Sequence, residues 1–195
     1  MSREAVLLLC LNFLLIALLP RIFFRKGGKL GLQWWATALP LFLAPVTAVL
    51  VFLHQLTAIE VSEQVRGVLA LVSVAMSAAS IALIGLTLGT NRIPLSLWHQ
   101  KDDAPNNIVT FGAYRLIRHP FYSSFLLAVL SALLLAPHFV TLFTLVYAFV
   151  ALNITAAREE KRLAVSEFGE EYREYLKRTG RFLPRFPGRR GRIDG

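Results

Sequence analysis

Two short stretches of this 195-residue sequence set side chains able to do chemistry beside apolar runs. The first runs from Gln100 to Tyr122 and ends in GAYRLIRHPFYSS, which carries Tyr114, Arg115, Arg118, His119 and Tyr122. The second is Arg158, Glu159 and Glu160. Together they offer guanidiniums for an anion, carboxylates for an ammonium or hydroxyls, an imidazole for a proton, and aromatic faces for a cation. Singly, each has a plainer reading. Arg115 and Arg118 suit the basic flank of a membrane span, Tyr114 and Tyr122 an interface belt, and Glu159 and Glu160 a helix surface, while His119 precedes a helix-starting Pro120. The combination, placed at the lip of the apolar run FLLAVLSALLLAP, is what asks for an explanation.

The elements that must position these groups are membrane helices. Hydrophobic residues make up 55% of the chain and charged residues only 17%, and long uncharged runs point to an integral membrane protein. The first run is AVLLLCLNFLLIALLP, extended by Ile22 to Phe24; a thin basic start and no small-residue cleavage site argue against a cleaved signal peptide. The second spans Gly31 to Leu53, with Trp34 and Trp35 suited to an interface. The third spans 67–89, where Gly85 and Gly89 form a small-xxx-small pair that predicts close helix packing. The run from Phe121 to Ala157 is too long for one span of about 20 residues, and Ala136-Pro137-His138 predicts a tight turn inside it. The fold expected is therefore an all-α integral membrane protein with about five transmembrane helices, the last two a helical hairpin. Residues 1–89 hold three spans, 90–185 the polar site, and 186–195 a mobile basic tail.

Loop charges set the orientation. Arg21, Arg25, Lys26 and Lys29 separate the first two runs, Glu60, Glu63 and Arg66 the next two, and the segments 90–120 and 158 onward are basic. The positive-inside rule puts the N-terminus outside and the C-terminus in the cytoplasm. The formal net charge of +9 then speaks for anionic lipid rather than nucleic acid. A hairpin brings Arg118–Tyr122 and Arg158–Glu160 side by side on the cytoplasmic face. The tail REEKRLAVSEFGEEYREYLKR spaces Leu163, Phe168, Tyr172, Tyr175 and Leu176 along one helical face, which predicts an amphipathic helix on the membrane surface or over the loop before Phe121.

Several functions have no support. There is no GxGxxG, Walker loop or GxSxG elbow, and His54, His99, His119 and His138 lack metal-ligand spacing, so no metal is expected. Neither internal repeats nor mid-helix charges favour a transporter. Cys10 has no disulfide partner and sits in an apolar run.

The stretches IVTFGAYRLIRHPFY and REEKRLAVSEFGEEYREYLKRTGRFLP resemble the isoprenylcysteine carboxyl methyltransferase family, whose relatives include phospholipid methyltransferases. The likeness covers roughly 90–185. It implies an S-adenosylmethionine pocket at the cytoplasmic face, with cofactor contacts at Ile108, Val109, Tyr114, His119, Pro120, Phe121, Tyr122 and Glu160, and at Gln100 with a one-residue gap. It further implies a lipophilic or prenylated acceptor that arrives from the bilayer, with Arg118 or Arg158 orienting an acidic headgroup. The chain departs from the family at Asn106 (often His), Ser124 (often Gly), Thr179-Gly180 (usually Val-Pro) and Ala156, where a basic residue faces the substrate. Carboxyl O-methylation of an isoprenylcysteine-like acid needs no base, because the acid is ionised at neutral pH. An amine acceptor needs one, with His119 or Glu159 nearest. A phospholipid N-methyltransferase, an NADPH-dependent membrane reductase sharing Arg-His-Pro-x-Tyr, and a non-catalytic membrane subunit are the other readings. A prokaryotic inner membrane or the endoplasmic reticulum suits the chain.

Overall fold

The computed structural model describes residues 1–18, 32–90 and 108–185, with the backbone alone for 32–37. The basic loop residues Arg21, Arg25, Lys26 and Lys29, the expected cofactor contact Gln100, Asn106, and the tail 186–195 lie outside the described residues, as do His99 and the side chains of Trp34 and Trp35. The elements are α1 Arg3–Leu18, α2 Leu32–Phe52, α3 Glu63–Thr90, a 3₁₀ turn Gly112–Arg115, α4 Pro120–Leu135, α5 Phe139–Ala164 and α6 Gly169–Arg178. Among the described residues the only β feature is an isolated parallel bridge between Ile117 and Gly180.

Two of these helices, α3 and α5, are long and apolar enough to cross a membrane. The 28 residues of α3 give about 42 Å at 1.5 Å per residue, against a hydrocarbon core of about 30 Å. The 16 apolar residues of α4 give only about 24 Å.

The bundle is sorted by size and polarity in a way that suits lipid. Its outer faces carry large apolar side chains, among them Leu71 and Phe139, both more than 70% exposed. Its inner faces carry Asn12, Ser73, Ser77, Ser80, Thr87, Ser124 and Ser131, all buried. Ser73, Ser77, Ser80, Ile84 and Thr87 form one seam of α3, at the spacing of a single helical face. The Ser73 and Ser131 hydroxyls lie 2.9 Å apart and those of Ser77 and Ser131 2.7 Å apart. Ser80 Oγ donates to the Ser124 carbonyl at 2.7 Å and to Asn12 Oδ1 at 3.1 Å. Where lipid is the solvent there is little hydrophobic drive between helices; small side chains allow close approach and hydrogen bonds supply the glue. Among the described residues the glycine pair plays no such part: a methyl group added at Gly85 or Gly89 meets none of them within 4 Å. Close packing in α3 falls on the serine seam, because hydroxyls both admit a neighbouring helix and bond to it.

The turn lies where Pro137 places it. α4 ends at Leu135 and α5 starts at Phe139. His138 caps α5: its Nδ1 accepts from Val140 N at 3.1 Å while its own N–H donates to Thr141 Oγ1 at 3.2 Å. The tail departs from the single helix expected of it. α5 runs on to Ala164, residues 165–168 turn, and α6 follows. Arg158 to Arg162 are good helix formers and carry α5 beyond its apolar part. Val165 and Ser166 are not, and an added Cβ at Gly169 lies 2.6 Å from the Ala164 carbonyl, so the chain needs glycine to fold back there.

Candidate active site

The hairpin sets the start of α4 against the end of α5. Glu160 sits at the centre, with its side chain 10% exposed. Arg118 Nε donates to its Oε1 at 2.9 Å. Arg181 donates through Nε to Oε1 at 3.1 Å and through Nη2 to Oε2 at 2.5 Å. Two guanidiniums thus share one carboxylate. Glu159, one residue earlier, accepts from Tyr122 OH at 2.8 Å. His119 lies between the two acids, with Nδ1 3.5 Å from Glu159 Oε2 and Nε2 3.4 Å from Glu160 Oε1. The second approach is close in distance but outside hydrogen-bond geometry, so Nε2 is buried without a hydrogen-bond partner among the described residues. The imidazole is stacked on Tyr122, with centroids 5.2 Å apart and planes 3° apart, and meets the edge of Phe182 at 6.3 Å.

Arg181 and Phe182 arrive on a strap, residues 179–183, that runs beside 116–119. Arg118 N donates to Gly180 O at 2.8 Å, His119 N to Arg181 O at 3.1 Å, and Gly180 N to Leu116 O at 3.2 Å. Ser123 Oγ holds Phe182 O at 2.7 Å. Gly180 is required here: a Cβ would stand 1.7 Å from the Leu183 carbonyl. Arg118 is held inward by this clasp, since its Nη1 also reaches Leu176 O, Thr179 O and Thr179 Oγ1. α6 closes over the 3₁₀ turn, where Tyr175 OH donates to Tyr114 O at 2.5 Å. Burial pushes the hydroxyls of Tyr172 and Tyr175 above the usual phenol range, so both remain donors. Through the Tyr175–Tyr114 bond α6 packs over the loop before Phe121, one of the two placements expected for the tail.

The residues singled out in the sequence separate into three groups. Arg118, His119, Tyr122, Glu159 and Glu160 converge. Tyr114 reaches the clasp through its backbone, and Pro120 opens α4 behind His119. Phe121 is turned into the apolar core of the bundle, and Ile108 and Val109 are half-buried in irregular chain before the 3₁₀ turn. Arg158 is exposed and makes no ion pair with a described residue. Ser124 is absorbed in packing against Ser80, and Ala156 is fully buried. Sequence reasoning gave no role to Asn153, Thr179, Arg181 and Phe182. The signal was present in RTGRFLP directly after α6, but only the docked strap shows where it goes.

Residues 68–165 match the family described as isoprenylcysteine carboxyl methyltransferase (ICMT). The chain is also similar to the Cobalt-zinc-cadmium resistance protein CzcN of Cupriavidus metallidurans, 36% identical over 86 residues. That stretch covers 44% of this chain and 39% of the length of CzcN. No solved structure matches the chain.

Proposed function

The chain belongs to the isoprenylcysteine carboxyl methyltransferase family, and from that premise we propose that it is a membrane enzyme that moves a methyl group from S-adenosylmethionine to a lipophilic acceptor, an isoprenylcysteine-like carboxylate above others. Family membership and two apolar spanning helices make it a membrane protein. In the fuller reading α1, α2 and α4 cross the bilayer with them, the N-terminus lies outside, and the site faces the cytoplasm. Residues 90–185 form the cofactor-binding part, 1–89 the supporting spans, and α6 an amphipathic cover. In that reading the first turn of α4 opens at the cytoplasmic lip of the membrane, where a water-soluble donor and a lipid-soluble acceptor can meet.

The observation that carries the reading is His119, stacked on Tyr122 between two carboxylates, with a buried Nε2 that lies 3.4 Å from Glu160 Oε1 and makes no hydrogen bond to a described residue. A buried ring nitrogen without a partner asks for a ligand group. S-adenosylmethionine presents an ammonium, a carboxylate, hydroxyls, a flat adenine and a sulfonium, and the residues here fit that mixture. His119 would bond a polar edge, Glu159 would balance positive charge, Glu160 would stand at the cofactor's edge while holding the two guanidiniums, and the His119–Tyr122 stack would take a ring or the sulfonium. Tyr114, Pro120, Ile108, Val109 and Gln100 complete the expected wall, with Phe121 bracing it from the core. The cofactor supplies a methyl group already activated for displacement, so the chain need only hold donor and acceptor in line and keep water out. An amine acceptor would give up its proton to His119 or Glu159.

The test is calorimetric binding of S-adenosylmethionine to the detergent-purified protein, with NADPH as control. Binding that weakens on the order of tenfold on His119→Ala supports the reading. NADPH binding instead would move the chain to the reductases, and binding of neither by a folded sample would leave a non-catalytic subunit.

A further inference from the structure

We infer that Arg181 is the side chain that receives the anionic headgroup, a carboxylate, of the lipophilic acceptor; this rests on the methyltransferase reading. The sequence offered Arg118 and Arg158 for that task. Arg118 is committed inward to Glu160, Leu176 and Thr179, with its side chain 12% exposed. Arg158 is exposed on the far side of its helix turn and meets no described acid.

Arg181 is the more exposed of the two arginines on Glu160. Its guanidinium has five N–H donors. One on Nε and one on Nη2 hold Glu160, and one on Nη1 holds Asn153 Oδ1 at 2.6 Å. That leaves one N–H on each terminal nitrogen with no described partner. The side chain is 31% exposed, where Glu160 beneath it is 10%. A guanidinium fixed along one edge and open at its end is prepared for a carboxylate, which it can take through two parallel bonds. The charge agrees, because Glu160 balances only one of the two arginines that share it.

The surroundings point to a lipophilic ligand. Phe149, Asn153, Ala156 and Glu160 follow one another along one face of α5. Arg181 stretches from Asn153 to Glu160 across Ala156, whose single methyl leaves room for it. The next strap residue, Phe182, packs edge-on against Phe149 at 6.1 Å, and Phe149 is exposed on the apolar exterior. A chain lying along Phe149 and Phe182 therefore ends at the open N–H pair. The other source of a carboxylate is the donor itself, and the experiment separates the two.

The probes are N-acetyl-S-farnesylcysteine and its carboxamide, which differ only in the anion, titrated into the full-length detergent-purified protein alongside S-adenosylmethionine. The expected result is on the order of tenfold tighter binding of the acid than the amide. Arg181→Gln should erase that difference in a protein that stays folded. Arg181→Lys, which keeps a charge on Glu160 but loses the fork, should retain part of the difference; it serves if the glutamine variant does not fold. Equal binding of acid and amide by the unaltered protein overturns the inference without any variant. Displacement of the bound acid by S-adenosylmethionine in the unaltered protein overturns it too, by giving the anion site to the donor. No S-adenosylmethionine binding by the unaltered protein removes the methyltransferase reading itself, and the inference with it.

Discussion

Arg118 and Glu160 stand 42 residues apart in the chain and 2.9 Å apart in space. The pair joins the start of α4 to the end of α5, and Arg181 closes the same carboxylate from the strap. Glu160→Ala leaves two guanidiniums facing a cavity. Breaking a buried pair from one side costs roughly 3–5 kcal/mol, so the thermal midpoint in detergent should fall clearly and S-adenosylmethionine binding should weaken. The double variant with Arg118→Ala should lose less than the sum of the single losses, with a coupling of about 0.5–3 kcal/mol. Strict additivity would mean the pair does not act as a unit.

Gly180→Ala tests the strap. The new methyl would overlap the Leu183 carbonyl, a backbone atom that cannot swing away. The strap must peel from 116–119, taking Arg181 and Phe182 with it. Helical content by circular dichroism should stay unchanged, since no helix includes this residue. Trypsin should cut after Arg178 and Arg181 faster than in the unaltered protein. Unchanged proteolysis would mean that the strap tolerates the methyl.

The hairpin could be read from the sequence because two local rules agreed there. The apolar run was too long for one span, and Pro137 marked the place to turn. That single inference also carried the meeting of Arg118, His119 and Tyr122 with Glu159 and Glu160, since helix ends joined by a tight turn have nowhere else to go. What failed depended on non-local packing. Gly85 and Gly89 carry a spacing that suits a helix seam, yet which face of α3 meets α4 was decided by where Ser124 and Ser131 lie. Arg181 could not be assigned, because its place comes from backbone bonds between Gly180 and Leu116 that no periodicity announces. Arg118 looked like a ligand for a headgroup because its type was legible and its four acceptors were not.

Ser131 is the point where the serine seam is most concentrated. Its hydroxyl meets those of Ser73 and Ser77 and donates to the Ser73 carbonyl at 2.9 Å. Ser131→Ala should destabilise the bundle by about 0.6–1.7 kcal/mol, the range for hydrogen bonds between membrane helices. Ser131→Leu should cost more, because the side chain is fully buried where α3 and α4 touch and overpacking adds about 1–3 kcal/mol. Unfolding in mixed detergent micelles measures both. A leucine variant as stable as the alanine one would show that the helices can part without penalty.

His119 separates binding from stability. Removing its ring breaks no hydrogen bond through Nε2, which has none among the described residues. The losses are the stack on Tyr122, for which such pairs contribute about 0.5–1.5 kcal/mol, the edge contact with Phe182, and the approaches to Glu159 and Glu160. His119→Ala should therefore lower the thermal midpoint only modestly. His119→Phe, which keeps a flat ring against Tyr122 and Phe182, should restore the midpoint close to that of the unaltered protein. Neither variant can supply a ring nitrogen, so both should bind S-adenosylmethionine on the order of tenfold more weakly, the price of one well-placed polar contact. Full affinity in the phenylalanine variant would assign the imidazole to packing alone. A collapse of both variants to unfolded protein would assign it to the clasp around Glu160.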